Sequence, residues 1–303
     1  MKYHSISAKF LELKVITMQY KQHQSICFVI GISCYTIAAQ SAIYYVDPLG
    51  GNDANAGDTK ITAWKTIPGM RTADDAGFLR NTWGSISPGN PIQAGDIIEL
   101  KAGTSITSAI GGRLQIDASY YQNGTALSPI VIRVGNDWGN GFFTYDASGM
   151  SVPRYYPAVY IDRRNYIQIR GADSTRRLSI KNTAGGGWGI MAAGSGNKQL
   201  GIVLDYLELA NNLYGGSTIS FSDEWTISNS ISHDNGEIGF DTGGLSDSNA
   251  NNGTYMNDEA YRNGVTVDVS GIAHGFGLYG STNITFQSCS SHENGRDGFD
   301  FGT

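Results

Sequence analysis

The phrase Ser-His-acid-Asn-Gly-x-x-Gly-Phe-Asp occurs twice in this chain, at 232–241 and at 291–300. A sequence that repeats itself at this scale stacks like units, each burying the apolar face of its neighbour. A third, looser copy lies between the two. Aligned on the shared amide, Asn235, Asn263 and Asn294 correspond, and so do the Gly-Phe steps that end in Phe240, Phe276 and Phe299. The middle copy carries an insertion at 265–273, which reads as a loop swelling out of one turn of a coil.

The remaining sequence agrees with such a coil. Short stretches at 128–134, 158–162, 165–171, 177–182, 201–209, 224–230 and 282–290 alternate apolar with polar residues between Gly, Asn, Asp or Ser. No long amphipathic helix separates them, and only a short helix around 61–80 is expected. Forty glycines without a Gly-X-Y period exclude collagen and point to many tight turns. The expected class is all-β, and the repeat selects a right-handed parallel β-helix, a single-stranded solenoid, capped at its N-terminal end by residues near 44–100. Successive rungs lie roughly 4.8 Å apart. The three asparagines should then form an amide ladder, the three phenylalanines an inward stack, and Asp234, Arg262 and Glu293 an ion-pair ladder. His233, Tyr261 and His292 stack in register, as a structural ladder or as a platform for sugar.

Residues 25–42 form an apolar run that follows Lys21 and ends in small residues, the pattern of a signal peptide over 1–41, with Met18 as an alternative start. The β-helix domain is then 42–303 and the protein secreted, extracellular or periplasmic, with no membrane association after cleavage. Removing 1–41 leaves 17 of the 21 basic and 26 of the 27 acidic residues, a net charge of −9. That balance argues against a nucleic-acid partner and suits a divalent cation. Of the three cysteines only Cys289 remains, a lone thiol expected to be buried as a small hydrophobe in a monomeric chain.

The stretch from 44 to 59, with 63–67 and 94–104, resembles the N-terminal segment of secreted right-handed parallel β-helix proteins, many of them polysaccharide lyases. More narrowly, 273–280 followed by 289–302 resembles family 9 pectate lyases, in which ADGF is followed by N-x-x-DDG-x-D. The resemblance implies calcium (Ca2+) bound by the aspartates of both phrases and a lysine further along the coil that removes a proton. Asp297 and Asp300 match the second and last aspartates of the latter phrase. Arg296 and His274 stand where two other aspartates are expected. The lysine would fall beyond Thr303, and the repeat stops in mid-phrase, so the C-terminal end of the coil is expected to be incomplete.

Residues 224–303 hold eleven acids and two bases, Arg262 and Arg296. Asp241 and Asp300 are equivalent positions two rungs apart, about 10 Å by strand spacing, with Gly277 between them. A single calcium site must therefore be local, with Asp297 and Asp300 as metal ligands. Strict alternation would turn Asp297 inward with Phe299, so a bend at Gly298 is expected. His274 is a candidate base and Arg296 a candidate for holding a uronate carboxylate. The expected function is calcium-assisted β-elimination of an acidic polysaccharide such as pectate. The alternatives are a non-catalytic glycan-binding β-helix of the adhesin or tailspike kind, and a glycoside hydrolase on the same fold.

Overall fold

A computed structural model describes residues 41–71, 83–84, 86–150, 156–183, 187–194, 198–243, 249–265 and 272–302. Residues 1–40, nearly all of the expected signal peptide, lie outside these residues. Three parallel sheets carry nearly all the regular structure, of eight, seven and seven strands. We number them in the order the chain visits them. A typical rung contributes Thr226–Ser228 to sheet 1, Ile231–His233 to sheet 2 and Ile238–Thr242 to sheet 3. The next rung repeats the visit with Gly253–Met256, Glu259–Tyr261 and Phe276–Leu278, and the last with Ile284–Gln287, Ser290–His292 and Phe299–Asp300. Each strand pairs in parallel with its counterpart one rung away. The chain is an all-β, right-handed parallel β-helix, the hand that twisted strands impose on crossovers between parallel neighbours.

The corners explain two departures from the sequence reading. The stretch 201–209, read as one strand, is two: Val203–Asp205 and Leu207–Ala210. Between them Tyr206 takes φ 51°, and Asn229, Asn257 and Ser288 do the same at the equivalent corners. One left-handed residue turns the chain from sheet 1 into sheet 2 without a loop. The expected helix around 61–80 is not formed over 61–71, which runs through turns and isolated bridges; 72–82 lies outside the described residues. Trp64, Met70 and Trp83 there are drawn into the buried N-terminal end, so packing rather than helical periodicity sets their spacing.

The cap begins with Ile43–Val46, which adds a strand to sheet 1 beside Ile97–Ala102. Trp64, stacked on Tyr44 with centroids 4.8 Å apart, closes the end of the core. Inside the coil, columns of Ile, Leu and Val give way towards the C-terminal rungs to aromatic rings. Phe240, Phe276 and Phe299 stack at 5.1 and 4.9 Å, as the repeat predicts.

The repeated phrase interlocks. Asn235 Nδ2 donates to Asn263 Oδ1 at 2.9 Å, and Asn263 Nδ2 donates to Asn294 Oδ1 at 3.0 Å. Asn212 extends the ladder by one rung, its Nδ2 donating to Asn235 Oδ1 at 3.1 Å. A Cβ on Gly239 would lie 2.9 Å from Asn263 Nδ2, and one on Gly275 would lie 2.8 Å from Asn294 Nδ2. Glycine precedes phenylalanine because the next rung's carbonyl, with its amide and, at Gly275, the Ser291 hydroxyl, occupies the space of a side chain. Ser232 and Ser291 complete the unit by donating to the carbonyls of Gly239 and Gly298, both at 2.8 Å.

Of the outer ladders of sheet 2, the ring stack forms throughout, and the expected ion-pair ladder forms at its Asp234–Arg262 step. Arg262 reaches Asp234 through Nε and Nη2, both at 2.7 Å, and holds that carboxyl down at about 2. Glu293 acts on Arg262 at longer range. His233, Tyr261 and His292 stack at 4.8 and 5.3 Å with planes within 3°. Their faces are taken by one another, which favours the structural ladder over a platform for sugar rings. Cys289 is free but only half-buried, against the expectation of full burial. Among the described residues no further rung covers it.

Candidate functional site

The site candidates meet on sheet 3. Outward positions there form one column through consecutive rungs: Gln115, Tyr160, Met191, Thr218, Asp241, Gly277 and Asp300. The register places Asp241 and Asp300 two rungs apart with Gly277 between, as the repeat implies.

At the far end of this column, Asp300 Oδ2 lies 3.3 Å from His274 Nε2, and Asp297 Oδ2 lies 3.4 Å from His274 Nδ1. One imidazole is thus flanked by both aspartates. Alternation alone would separate positions 297 and 300 onto opposite faces. Both reach the same ring here, so the chain bends between them, in agreement with the expected bend at Gly298. His274 occupies the register position of Asp297 one rung earlier, which is why the two meet. Its main chain is fixed by Gly239 N–H donating to its carbonyl and by its own N–H donating to Ile272 O.

Burial differs sharply across the cluster. The His274 side chain is 5% exposed, whereas that of Asp297 is 68% exposed. His274 Nδ1 is a buried atom with no hydrogen bond: Asp297 is near but poorly aligned. Arg296 is exposed, and its N–H donates to Ala273 O at 2.8 Å, which sets it beside His274 along the chain.

One further member, Tyr279, carried no sequence signal. Tyr279 Oη donates to Asp300 Oδ2 at 2.9 Å, and burial together with Asp300 pushes the phenol well above its usual range. The ring lies over Gly277, where a Cβ would stand 2.9 Å from Tyr279 Cε2 and 2.5 Å from Ile238 Cδ1. The glycine gap between Asp241 and Asp300 is therefore filled by Tyr279. Asp241, buried, accepts a hydrogen bond from Thr218 Oγ1 at 2.8 Å one rung earlier.

As a metal site the cluster offers two carboxylates with an imidazole between them. Calcium selects six to eight oxygens at 2.3–2.6 Å. The place an ion would take between Asp297 and Asp300 is filled by His274, a nitrogen donor. Among the described residues, no group of three or more His, Cys, Asp or Glu side chains is disposed to hold one ion. The donor set as arranged does not suit calcium.

No protein-family model matches the chain, and no curated protein matches it. Among solved structures it is similar to pectate lyase Pel9A, with a TM-score of 0.50 at 18% identity, covering 87% of this chain and 66% of that one. A rhamnogalacturonan lyase gives 0.50 at 16% identity, with coverage of 86% and 53%. The GH136 lacto-N-biosidase from Eubacterium ramulus reaches 0.49 at 11% identity, covering 84% and 57%. The chain spans less than two thirds of the length of each of these structures. At such identities the likeness concerns architecture: the chain shares its parallel β-helix with two polysaccharide lyases.

Proposed function

We propose that this chain is the polysaccharide-handling coil of a secreted lyase that cleaves a uronate polymer, of the pectate kind, by β-elimination. The observation that carries the reading is the cluster on sheet 3: a buried imidazole with an unbonded nitrogen, flanked by two carboxylates, on a coil whose fold is shared with lyases. The leader-like run at 25–42 supports export. Among the described residues no helix is long and apolar enough to cross a membrane.

β-Elimination removes the proton on C5 of a uronate, forms the C4=C5 double bond with that electron pair, and breaks the C4–O4 bond. The departing oxygen takes a proton from solvent. A base must stand at C5, and a positive group must neutralise the adjacent carboxylate. His274 Nδ1 serves as the base once the exposed Asp297 side chain swings aside. Asp300, itself fixed by Tyr279, holds the ring at Nε2 and stabilises the imidazolium that forms. Arg296, exposed beside the cluster, pairs with the uronate carboxylate in a fork geometry. No step is assigned to calcium, because the donor set does not suit it.

Burial of His274 favours a second reading, a glycan-binding coil that does no chemistry. Mass analysis of polygalacturonate incubated with the protein separates the readings. Elimination leaves fragments with one end lighter by a molecule of water than a hydrolysis product. Ordinary reducing fragments would mean a hydrolase, and an intact polymer retained by the protein would mean binding alone.

A further inference from the structure

The proposed chemistry uses only the C-terminal end of the sheet 3 column; its N-terminal end has a different character. Around Gln115 and Tyr160 two hollows of about 260 and 400 Å³ adjoin each other, with Gln115 common to both. The first is lined by Arg71, Arg113, Tyr156 and Tyr160, and the second by Arg163, Arg164, Asp117 and Asp162. Four arginines against two aspartates make this a basic groove on a chain whose predicted mature net charge is −9.

The groove is organised rather than merely charged. Arg71 crosses from the cap, its N–H donating to Arg113 O, and its Nη2 donates to Gln115 Oε1 at 2.9 Å. Gln115 in turn donates to Asp162 Oδ2 at 3.5 Å, and Arg163 Nε donates to Asp162 Oδ1 at 2.8 Å. The Arg113 guanidinium lies 5.4 Å from the centre of the Tyr156 ring, which is 52% exposed. Arg164 makes no hydrogen bond or ion pair among the described residues, and its Nε is buried without an acceptor. A buried N–H donor of a guanidinium without a partner is a costly arrangement that an anionic ligand would relieve.

We infer that this groove is a binding subsite for the carboxylates of an acidic polysaccharide, with Arg164 and Arg113 as the charged contacts and Tyr156 as the ring on which a sugar packs. Guanidinium forks match carboxylates two bonds at a time, and an exposed tyrosine face suits the apolar face of a sugar. Groove and cluster share one outward column, with Gln115 and Asp300 six rungs apart, about 29 Å at strand spacing. A polymer lying along the coil axis would be gripped at one end and presented at the other. The inference rests on reading the chain as a polysaccharide-binding coil, not on its catalysis.

The test is calorimetric titration of the full chain with a galacturonate oligomer, a neutral galactose oligomer, a sulfated glycosaminoglycan fragment and single-stranded DNA. The galacturonate oligomer should bind, more weakly as salt rises, and the neutral one should not. Arg164→Gln and Arg113→Gln should each weaken binding roughly tenfold, the value of one charge-assisted contact. Tyr156→Ala, at an exposed position that folding does not need, should weaken it severalfold. Equal affinity for the neutral oligomer, or full affinity in both arginine variants, would overturn the inference. Preference for the sulfated fragment or for DNA over galacturonate would overturn the carboxylate assignment. Because binding is read without turnover, an inactive protein that still loses affinity on Arg164→Gln would sink the lyase reading and leave the subsite standing.

Discussion

Replacing Asn263 by alanine tests the interlocked repeat most severely. The side chain is fully buried and sits at the middle of the ladder. Its Oδ1 accepts from Asn235 N at 3.2 Å and from Asn235 Nδ2 at 2.9 Å. Its Nδ2 donates to Ser232 O at 3.1 Å and to Asn294 Oδ1 at 3.0 Å. Alanine removes four hydrogen bonds worth about 0.5–1.5 kcal/mol each and leaves the buried Asn235 N–H without its acceptor. Some partners keep other bonds, since Asn235 Nδ2 also donates to Leu209 O and Ser232 Oγ. A net loss of about 3–5 kcal/mol follows, a large share of the roughly 5–15 kcal/mol that a domain has to lose. Denaturant unfolding followed by tryptophan fluorescence measures it, with Asn294→Ala as the comparison because Asn294 is only half-buried. Asn263→Ala should shift the midpoint well beyond Asn294→Ala. A loss under about 1 kcal/mol, or no difference between the two, would refute the ladder as a source of stability.

Other outcomes follow from single contacts. Gly239→Ala places a Cβ 2.5 Å from the Gly275 carbonyl oxygen, so it should cost about 1–3 kcal/mol through forced displacement of the next rung, read by the same unfolding assay. Burial pushes the Asp258 carboxyl up to about 7, against hydrogen bonds from Ser230 N and Met256 N and with Asp205 and Arg177 nearby. A folded value above the unfolded one means that this stabilisation is complete below about pH 4 and is lost as pH rises through about 7, by at most roughly 4 kcal/mol. Asp258→Asn should flatten that slope; an unchanged slope would show that other groups cause it. Because the His274 cluster does not suit calcium, a strong chelator should leave both the unfolding midpoint and any elimination activity unchanged. A drop in either would restore calcium to the site.

The sequence made the C-terminal rungs legible because their constraints recur at the same place in each turn. Asn235, Asn263 and Asn294 had to be a ladder, since an isolated buried amide could not be satisfied three times over. Asn212 belongs to the same ladder but is followed by Leu213 instead of glycine, so the phrase hides it. The strands before residue 200 repeat no phrase, and the left-handed corners at Tyr206 and Asn229 are invisible to alternation. The meeting of His274 with Asp297 was within reach, since the aligned Gly-Phe steps set those positions one rung apart. The roles of Tyr279 and the arginine groove were not. They depend on which loops and which part of the cap fold over sheet 3, and no period in the sequence carries that information.

The most direct test of the account is the ultraviolet absorbance of polygalacturonate incubated with the protein, followed over time for the wild type and for His274→Ala. Elimination creates a C4=C5 double bond conjugated to the carboxylate, so absorbance should rise with the wild type. It should rise about 10²–10⁴-fold more slowly with the variant, the usual contribution of a positioned base. Equal rates would remove His274 from the chemistry, and a flat trace from a wild type that binds the polymer would contradict the lyase reading itself.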